Sequence, residues 1–302
     1  MTPTPPSSPF DRFIADLHER GRSENTLRAY QLDWAKFSTW FTDANGEAIT
    51  LGNLTALDVQ DFVRWSIAEE FAPSTINRGL SVIKQFATWA EEAGHISPDL
   101  RLRIKRVKGA RKQSLAPKSL GQKEVRRLLR ELERSGTVRD NAMVLTMLYT
   151  GIRVGELVAL RTADITLRPR SGSLAVRADT AKGAKARTLP IPKVARDALS
   201  AYLAQRDEDD DKHDLIFVGR EGPLSTAGVA AMLKKYGRRA KIDGLTPHVL
   251  RHTFAYAYLK NNGNDLVGLA DILGHTDLNT TQIYTKRRLS DLQDGVDHVR
   301  FS

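Results

Sequence analysis

The stretch LTPHVLRHTFAYAYLKNNGNDLVGLADILGHTDLNTTQIY, from Leu245 to Tyr284, decides how the chain is read. Thr246 and Pro247 predict the N-cap and first residue of a helix, because proline lacks the amide hydrogen that a helix start leaves unpaired anyway. Leu250, Phe254, Ala257 and Tyr258 recur at helical spacing and are expected to form its buried face. His248, Arg251 and His252 then fall on another face. His248 and Arg251 lie in the first turn, where free amides and the positive end of the helix dipole favour an anion. Asn262 and Gly263 stop that helix, and a second is expected from about Asp265 to Leu273, closed by Gly274. His275 follows the cap directly. Tyr284 comes nine residues later, past a polar DLNTTQ segment that can start another short helix. Histidines, an arginine and a tyrosine gathered around a helix start suit a phosphodiester.

Taken singly, these residues have plainer readings: a hydrogen-bonded structural histidine, a core tyrosine. HVLRH also carries the i, i+4 histidines of a zinc motif. Arg251 stands between them, however, the HExxH glutamate is missing, and the chain has no cysteine, so no metal site is expected.

The ordered set resembles the second motif box of the tyrosine recombinases, the lambda-integrase, Xer and Cre type. The box comprises H-x-x-R at His248 to Arg251, L-G-H at Leu273 to His275, then Tyr284; TPHVLRH and LGHTDLNTTQIYT are especially similar to the Xer-like members. The resemblance implies a mainly α fold with a small antiparallel β-sheet. It would be a two-domain C-shaped DNA clamp, with an N-terminal SAM-like helical bundle and an α+β catalytic domain. It also implies an arginine box and a lysine turn elsewhere in the chain.

The chain has 302 residues, enough for one large or two smaller domains with real cores. Lys and Arg total 46 against 36 Asp and Glu, a formal charge of +10, which favours a polyanionic partner. Zero cysteines exclude disulfide and thiol chemistry and fit a reducing cytoplasm. MTPTPPSSPF lacks a signal pattern and reads as a disordered lead-in over 1–9. The longest nearly apolar stretch, around Ala142 to Ile152, is too short to span a bilayer, so no membrane role is expected. The expected location is cytoplasmic, with the nucleoid.

Residues 10–99 show four apolar stripes at helical spacing: from Phe10 to Leu17; from Leu27 through Leu32 to Phe41 after a Ser23 start; from Leu57 to Ile67; and from Ile76 to Trp89, capped near Ser74. GRSENTLRAYQLDWAKFSTWF and PSTINRGLSVIKQFATW resemble the family's core-binding domain. A linker is expected over 100–118. Between Leu100 and Lys123 there is no acidic residue and there are nine basic ones, and Gly109, Ser114, Pro117 and Ser119 keep the segment irregular. An extended basic tether can lie along phosphates. Arg101, Arg103, Lys105, Arg106, Lys108, Arg111 and Lys112 are its candidate DNA contacts.

The catalytic domain is expected over 119–302. Helices are predicted at Leu120 to Glu133 and Val138 to Tyr149, followed by TGIRVGEL, which resembles the first box. An arginine at a helix start is mildly disfavoured by the dipole, which suggests an anion partner. The resemblance makes Arg153 the first phosphate-clamping arginine and Glu156 its supporting acid. β-type alternation at Asp164 to Leu167, Ser173 to Val176 and Arg187 to Ile191 predicts a small antiparallel sheet. AKGAKARTLPI resembles the mobile turn that holds the family's catalytic lysine; Lys182 is the assignment and Lys185 the second choice. A helix is predicted at Val194 to Gln205. The acidic run Asp207 to Asp214 reads as a solvated loop. Ser225 to Ala240 predicts an amphipathic helix whose Lys234, Lys235, Arg238 and Arg239 are further candidate DNA contacts. The tail after Tyr284, over 288–302, resembles one that docks into a neighbouring protomer.

By resemblance, Tyr284 would attack phosphorus to give a 3′-phosphotyrosyl link, in a strand exchange that passes through a Holliday junction. Two guanidinium groups nearby would favour its ionised form. Arg153 and Arg251 would clamp the phosphate, Lys182 would protonate the 5′ oxygen, His248 would act as acid/base, and His275 would orient the phosphate. Neither metal nor ATP is required. The implied partners are double-stranded DNA with inverted-repeat core sites, three further protomers in a tetramer, and a second recombinase or accessory protein. A transposon- or phage-borne integrase or resolvase stands ahead of a chromosomal role. The alternatives are a non-catalytic DNA-binding regulator on the same scaffold and a type IB topoisomerase.

Overall fold

The computed structural model describes residues 8–111, 117–180, 186–206, 214–219, 222–275, 281, 283 and 284. The chain divides into two compact units, residues 1–114 and 115–302. Lys112, Lys182, Lys185, the lead-in through residue 7, the acidic run over 207–213, most of the DLNTTQ segment and the tail over 288–302 lie outside the described residues.

The first unit contains α1 (Pro9–Glu19), α2 (Glu24–Asn45), α3 (Ala56–Ala68), α4 (Pro73–Glu92) and α5 (Pro98–Arg106). Local chemistry starts these helices. The Ser8 hydroxyl accepts from the Asp11 amide while the Asp11 carboxylate accepts from the Ser8 amide, and Thr55 with Asp58 repeats the device at α3. At α4, Pro73 takes the first position and Ala72 is the cap, so Ser74 is not the cap expected from the sequence. The core is an aromatic seam. Phe10 stacks on Trp34 at 4.3 Å, Trp34 lies 4.5 Å from Phe86, and Phe37 and Phe41 are fully buried. Leu32, Leu57 and Ile67, counted in the apolar stripes, are instead 61%, 60% and 51% exposed. Leu32 precedes Phe37 by five residues, which turns it about 140° away from the core side of α2.

A larger correction concerns residues 100–106, expected in an irregular tether. They form most of α5, capped by Ser97, whose hydroxyl accepts from the Leu100 amide. Ile104 is fully buried among the first unit's core residues. The basic side chains disguise a helix that has a single buried anchor.

The second unit is built around α7 (Val138–Thr150), whose residues from Ala142 to Leu148 are all buried. It packs against α9 (Lys193–Leu203) and α11 (Pro247–Asn261), with α6 (Gln122–Ser135) and α10 (Thr226–Arg239) completing the helical layer. Tyr236 of α10 donates to the buried Asp140 carboxylate of α7 at 2.8 Å. The short α8 (Val154–Val158) leads into an antiparallel sheet, β1 (Ile165–Leu167), β2 (Gly172–Val176) and β3 (Arg187–Pro190), in that spatial order. Leu174 faces Leu189 and Val176 faces Arg187 across β2 and β3. A two-residue hairpin, β4 (Val218–Gly219) with β5 (Gly222–Pro223), was not foreseen; strands that short carry no alternation to read. Finally α12 (Leu266–Leu273) follows α11 after a turn at 262–264.

Two glycines fix where the chain can turn. Gly151 closes α7 at φ +65°, and a Cβ there would lie 2.4 Å from the Phe254 ring. Gly274 closes α12 at φ +63°, and a Cβ there would lie 2.9 Å from the Arg187 guanidinium. Both allow backbone to approach α11 or β3 closely.

Candidate functional site

The starts of α8 and α11, the first residue of β3 and the end of α12 meet around three guanidinium groups. Arg251 is the fifth residue of α11, one turn in from the start, where Thr246 caps the helix by accepting from the Val249 amide and Pro247 holds the first position. The periodicity put Arg251 on a face apart from the apolar one, and in the structure it is buried all the same, at 4% exposure. The buried positions of α11 are Val249, Leu250, Arg251, Thr253, Ala255 and Leu259; Phe254 and Tyr258 are half-buried and Ala257 is exposed. Arg251 donates at 2.7 Å to the Gly151 carbonyl that ends α7 and at 2.7 Å to the Leu273 carbonyl that ends α12. Carbonyl oxygens orient a guanidinium without cancelling its charge. Burial, with the neighbouring Arg153, lowers its pKa to about 10, so it stays cationic at neutral pH.

Arg153 is the N-cap of α8, and Glu156 answers it from the third helical position. The carboxylate accepts from the Arg153 amide at 3.0 Å and from its guanidinium at 2.9 Å. The apparent misfit of an arginine at a helix start is therefore met locally by Glu156. Arg153 also donates to the Gly274 carbonyl at 3.4 Å.

Glu156 is shared. Arg187, from the start of β3, donates to both of its oxygens at 3.0 and 2.7 Å and to the Ile272 carbonyl at 2.8 Å. Burial alone would push the Glu156 carboxyl up. The bonds from Arg187 and the Arg153 amide, with their charges, outweigh that and hold it below its ordinary value. One carboxylate thus serves two arginines, and the cluster keeps a surplus of positive charge.

His275 sits beyond the α12 cap. Its Nε2 is 3.2 Å from Arg251 Nη2, and its Nδ1 is 2.8 Å from the Thr281 hydroxyl. A guanidinium can only donate, so Nε2 accepts and Nδ1 carries the proton toward Thr281. Burial and then Arg251 lower the His275 pKa to about 4, which leaves it neutral.

Tyr284 is 5% exposed and packs edge-on against Tyr256 at 5.6 Å. Its hydroxyl is 2.8 Å from Nδ1 of His252. The expected ease of ionisation is reversed. Burial raises the phenol's pKa, and the opposing pull of Arg251 does not overcome it. His252 is pushed down to about 4 by burial, with His248 and Arg251 adding to the effect. His248 lies exposed one turn before His252, with ring centroids 6.4 Å apart.

The structure therefore brings together Arg153, Glu156, Arg251, His275 and Tyr284, with His248 at the exposed edge. Three members were missed. Arg187 was read only as the start of a strand, His252 as sharing a face with His248 and Arg251 and as half of a rejected zinc motif, and Thr281 as part of a polar segment. The pairs that reveal them span 31, 32 and 6 residues, and the longer two leave no mark in local spacing.

The candidate DNA contacts divide. Lys105, Arg106, Lys108, Arg111, Lys234, Lys235 and Arg238 are exposed. Arg101 is part-buried and pairs with Glu91 at 2.6 Å, and Arg103, itself exposed, makes a surface pair with Asp99 at 2.8 Å. Arg239 donates to the Ser135 hydroxyl at 3.0 Å and lies 4.0 Å from the Glu131 carboxylate. Among the described residues no group of three His, Cys, Asp or Glu side chains is placed to hold a metal ion, and no helix is long and apolar enough to cross a membrane.

Residues 118–290 match the phage integrase family, and residues 10–94 match the phage integrase N-terminal SAM-like domain. Tyrosine recombinase XerD of Listeria monocytogenes is 33% identical over 285 residues, covering 91% of this chain and 93% of that protein. Tyrosine recombinase XerC of Rhodospirillum centenum is 32% identical over 279 residues, covering 89% and 79%. Among solved structures, XerH recombinase bound to a palindromic difH substrate superposes with a TM-score of 0.77 at 20% identity, covering 96% of this chain and 84% of that one; at that identity the likeness speaks for the fold. Identity at this level, sustained across both units and over 79% and 93% of the two relatives, means that the chain belongs to the phage integrase family and is a tyrosine recombinase, an enzyme of DNA strand transfer.

Proposed function

We propose that this chain cuts and rejoins DNA at specific sites through a covalent link between Tyr284 and a 3′ phosphate. The observation that carries the reading is the buried, carbonyl-held Arg251 beside His275, with Arg153 across from it and Tyr284 close enough to feel both charges. A scissile phosphodiester gains negative charge on its non-bridging oxygens as a fifth oxygen approaches. Fixed guanidinium groups stabilise that charge without reorganising. Arg153 and Arg251 take those oxygens. Glu156 and Arg187 hold Arg153 in place, and His275 orients the phosphate. Tyr284 forms the O–P bond as the P–O5′ bond breaks. Lys182, or Lys185, supplies the proton to the departing 5′ oxygen, and His248 serves as donor or acid/base at the exposed edge. The bond energy stays in the phosphotyrosine, so rejoining is a second attack, by a 5′-hydroxyl from the partner strand.

Exchange between two duplexes requires two sites, each with two half-sites. We therefore infer inverted-repeat core sequences and a tetramer of protomers, whose tails over 288–302 would link neighbouring active sites and whose steps would pass through a Holliday junction. A second recombinase or an accessory protein fits the same scheme. The work is done where the DNA is, at the nucleoid in the cytoplasm, and an integrase or resolvase of a mobile element is the favoured setting.

The test is covalent trapping. Duplexes recovered from a random pool by binding to the protein are nicked near each possible cleavage position, so that the 5′-hydroxyl fragment is lost. A denaturing gel should show a slow protein–DNA band that survives chelator and vanishes in Tyr284→Phe. Tight, selective binding with no adduct at any nick would overturn the reading in favour of a DNA-binding regulator.

A further inference from the structure

We infer that His252 is a catalytic residue of this reaction: its Nδ1 takes the phenolic proton of Tyr284 as the tyrosine oxygen bonds to phosphorus, and returns it when that bond breaks. The inference rests on the reading of Tyr284 as nucleophile.

The argument begins with a proton that needs an acceptor. Tyr284 is buried, and its hydroxyl keeps its proton because burial outweighs the nearby guanidinium groups. A buried hydroxyl donates to something. The atom at hydrogen-bond distance is His252 Nδ1, at 2.8 Å. The imidazole is neutral, so it has one lone pair, and the phenol's donation puts that lone pair on Nδ1 and the ring proton on Nε2. The histidine is therefore already in the tautomer a base requires.

His275 differs in just this respect. Its Nε2 faces Arg251 and its Nδ1 proton faces Thr281, so neither nitrogen addresses Tyr284. Arg153, Arg187 and Arg251 can only donate, and Glu156 is occupied by two arginines. Among the described groups of the site, His252 is the base in contact with the nucleophile.

The step balances. In cleavage, the Tyr284 oxygen–phosphorus bond forms, the P–O5′ bond breaks, the phenolic proton passes to His252 Nδ1, and the 5′ oxygen takes a proton from the general acid assigned to Lys182 or Lys185. In rejoining, the 5′-hydroxyl attacks phosphorus and gives up its proton to that lysine. The Tyr284 oxygen leaves and recovers its proton from His252. The imidazolium formed in between is opposed by His248 and Arg251, and is compensated by the negative charge of the phosphate drawn into the cluster, which is greatest as the five-coordinate phosphorus forms and breaks down. Held at contact distance, the base need not be strong in the free enzyme. It gains strength as negative charge enters the site.

The test uses full-length protein and the nicked duplexes recovered from the random pool. His252→Asn places an amide oxygen near the Nδ1 position, where it can accept the phenol's hydrogen bond but cannot take its proton. His252→Gln is made alongside, and whichever variant keeps the wild-type melting temperature and DNA affinity carries the comparison. The expected result is phosphotyrosyl formation slowed by about 100-fold or more. Replacing Tyr284 alone by 3,5-difluorotyrosine, a more acidic phenol, should restore the variant's rate far more than it raises that of the wild type. A variant with the wild-type rate would overturn the assignment. So would a slow variant that the fluorinated phenol does not rescue, because a residue that only positions the ring would respond in that way. If wild-type protein forms no adduct, the reading of Tyr284 itself falls and this assignment falls with it; the wild-type lane separates that outcome from the others.

Discussion

Glu156 lies between two guanidinium groups at 2% exposure, and its chemistry explains why the cluster is both stable and cationic. Removing one member of a buried pair strands the other, at a cost of about 3–5 kcal/mol. Glu156→Gln keeps the shape and loses the charge, so it should lower the unfolding free energy at pH 7 by an amount near the low end of that range. Glu156→Gln combined with Arg187→Met should recover part of the loss, because the stranded cation is gone. The pH dependence has a definite sign. The folded carboxyl lies below its ordinary value of 4.5, so its contribution is fully present above that pH and disappears as pH falls through the lower folded value. The gap between wild type and Glu156→Gln in denaturant titrations should therefore close in acid. A gap that stays constant from pH 7 to well below 4.5 would show that the charge contributes nothing. At this scale the sequence was half legible. Arg153, Glu156, Arg251, His275 and Tyr284 could be chosen because their order resembles a known pattern. Their partners could not, since Arg187 meets Glu156 across 31 residues and His252 meets Tyr284 across 32, through tertiary packing that no spacing encodes. The reversed pKa of Tyr284 was equally hidden: proximity to arginines could be anticipated, but the depth of burial that overrides them could not.

Elements were read best where punctuation is chemical. Thr246 with Pro247, Gly151 and Gly274 each impose a backbone state, and each marks a boundary in the structure. They were read worst where charge masks packing. In α5 the segment RLRIKR looks like a solvated tether, and its one apolar residue at the right angle, Ile104, is wholly buried in the first unit. Lys84 strengthens that anchorage by donating to the Val107 carbonyl at 2.7 Å, just past the end of the helix. The two readings differ in a measurable way. Ile104→Ala in a linker would leave stability unchanged. In a packed helix it removes a buried side chain and leaves a cavity, costing about 2–5 kcal/mol. Equilibrium unfolding followed by fluorescence reports on this unit, because all four tryptophans, Trp34, Trp40, Trp65 and Trp89, belong to it. The transition they report should move to lower denaturant in the variant, and an unmoved midpoint would return α5 to the status of a tether.

Over the whole molecule the formal charge of +10 is a statement about partners, not about fold. Not all of that charge is equally available to phosphates. Arg101 is held in a part-buried pair with Glu91, whereas Lys105, Arg106, Lys108 and Arg111 are exposed in the same stretch of chain, as is Arg103 in its surface pair with Asp99. Counterion release converts this difference into a slope. Each phosphate neutralised in a duplex complex contributes about 0.9 to the fall of log K with log salt. Lys105→Gln with Arg106→Gln should therefore reduce the slope measured on recovered duplexes by about 2, and weaken binding most at low salt. Arg101→Gln should leave the slope nearly unchanged, because its guanidinium is 2.6 Å from a carboxylate that would otherwise have to give it up. Both titrations use the same DNA and the same salt series, so the comparison does not depend on knowing the natural target. Equal slopes for the two variants would mean that local ion pairing does not decide which cations meet DNA, and that the charge acts as an undivided field.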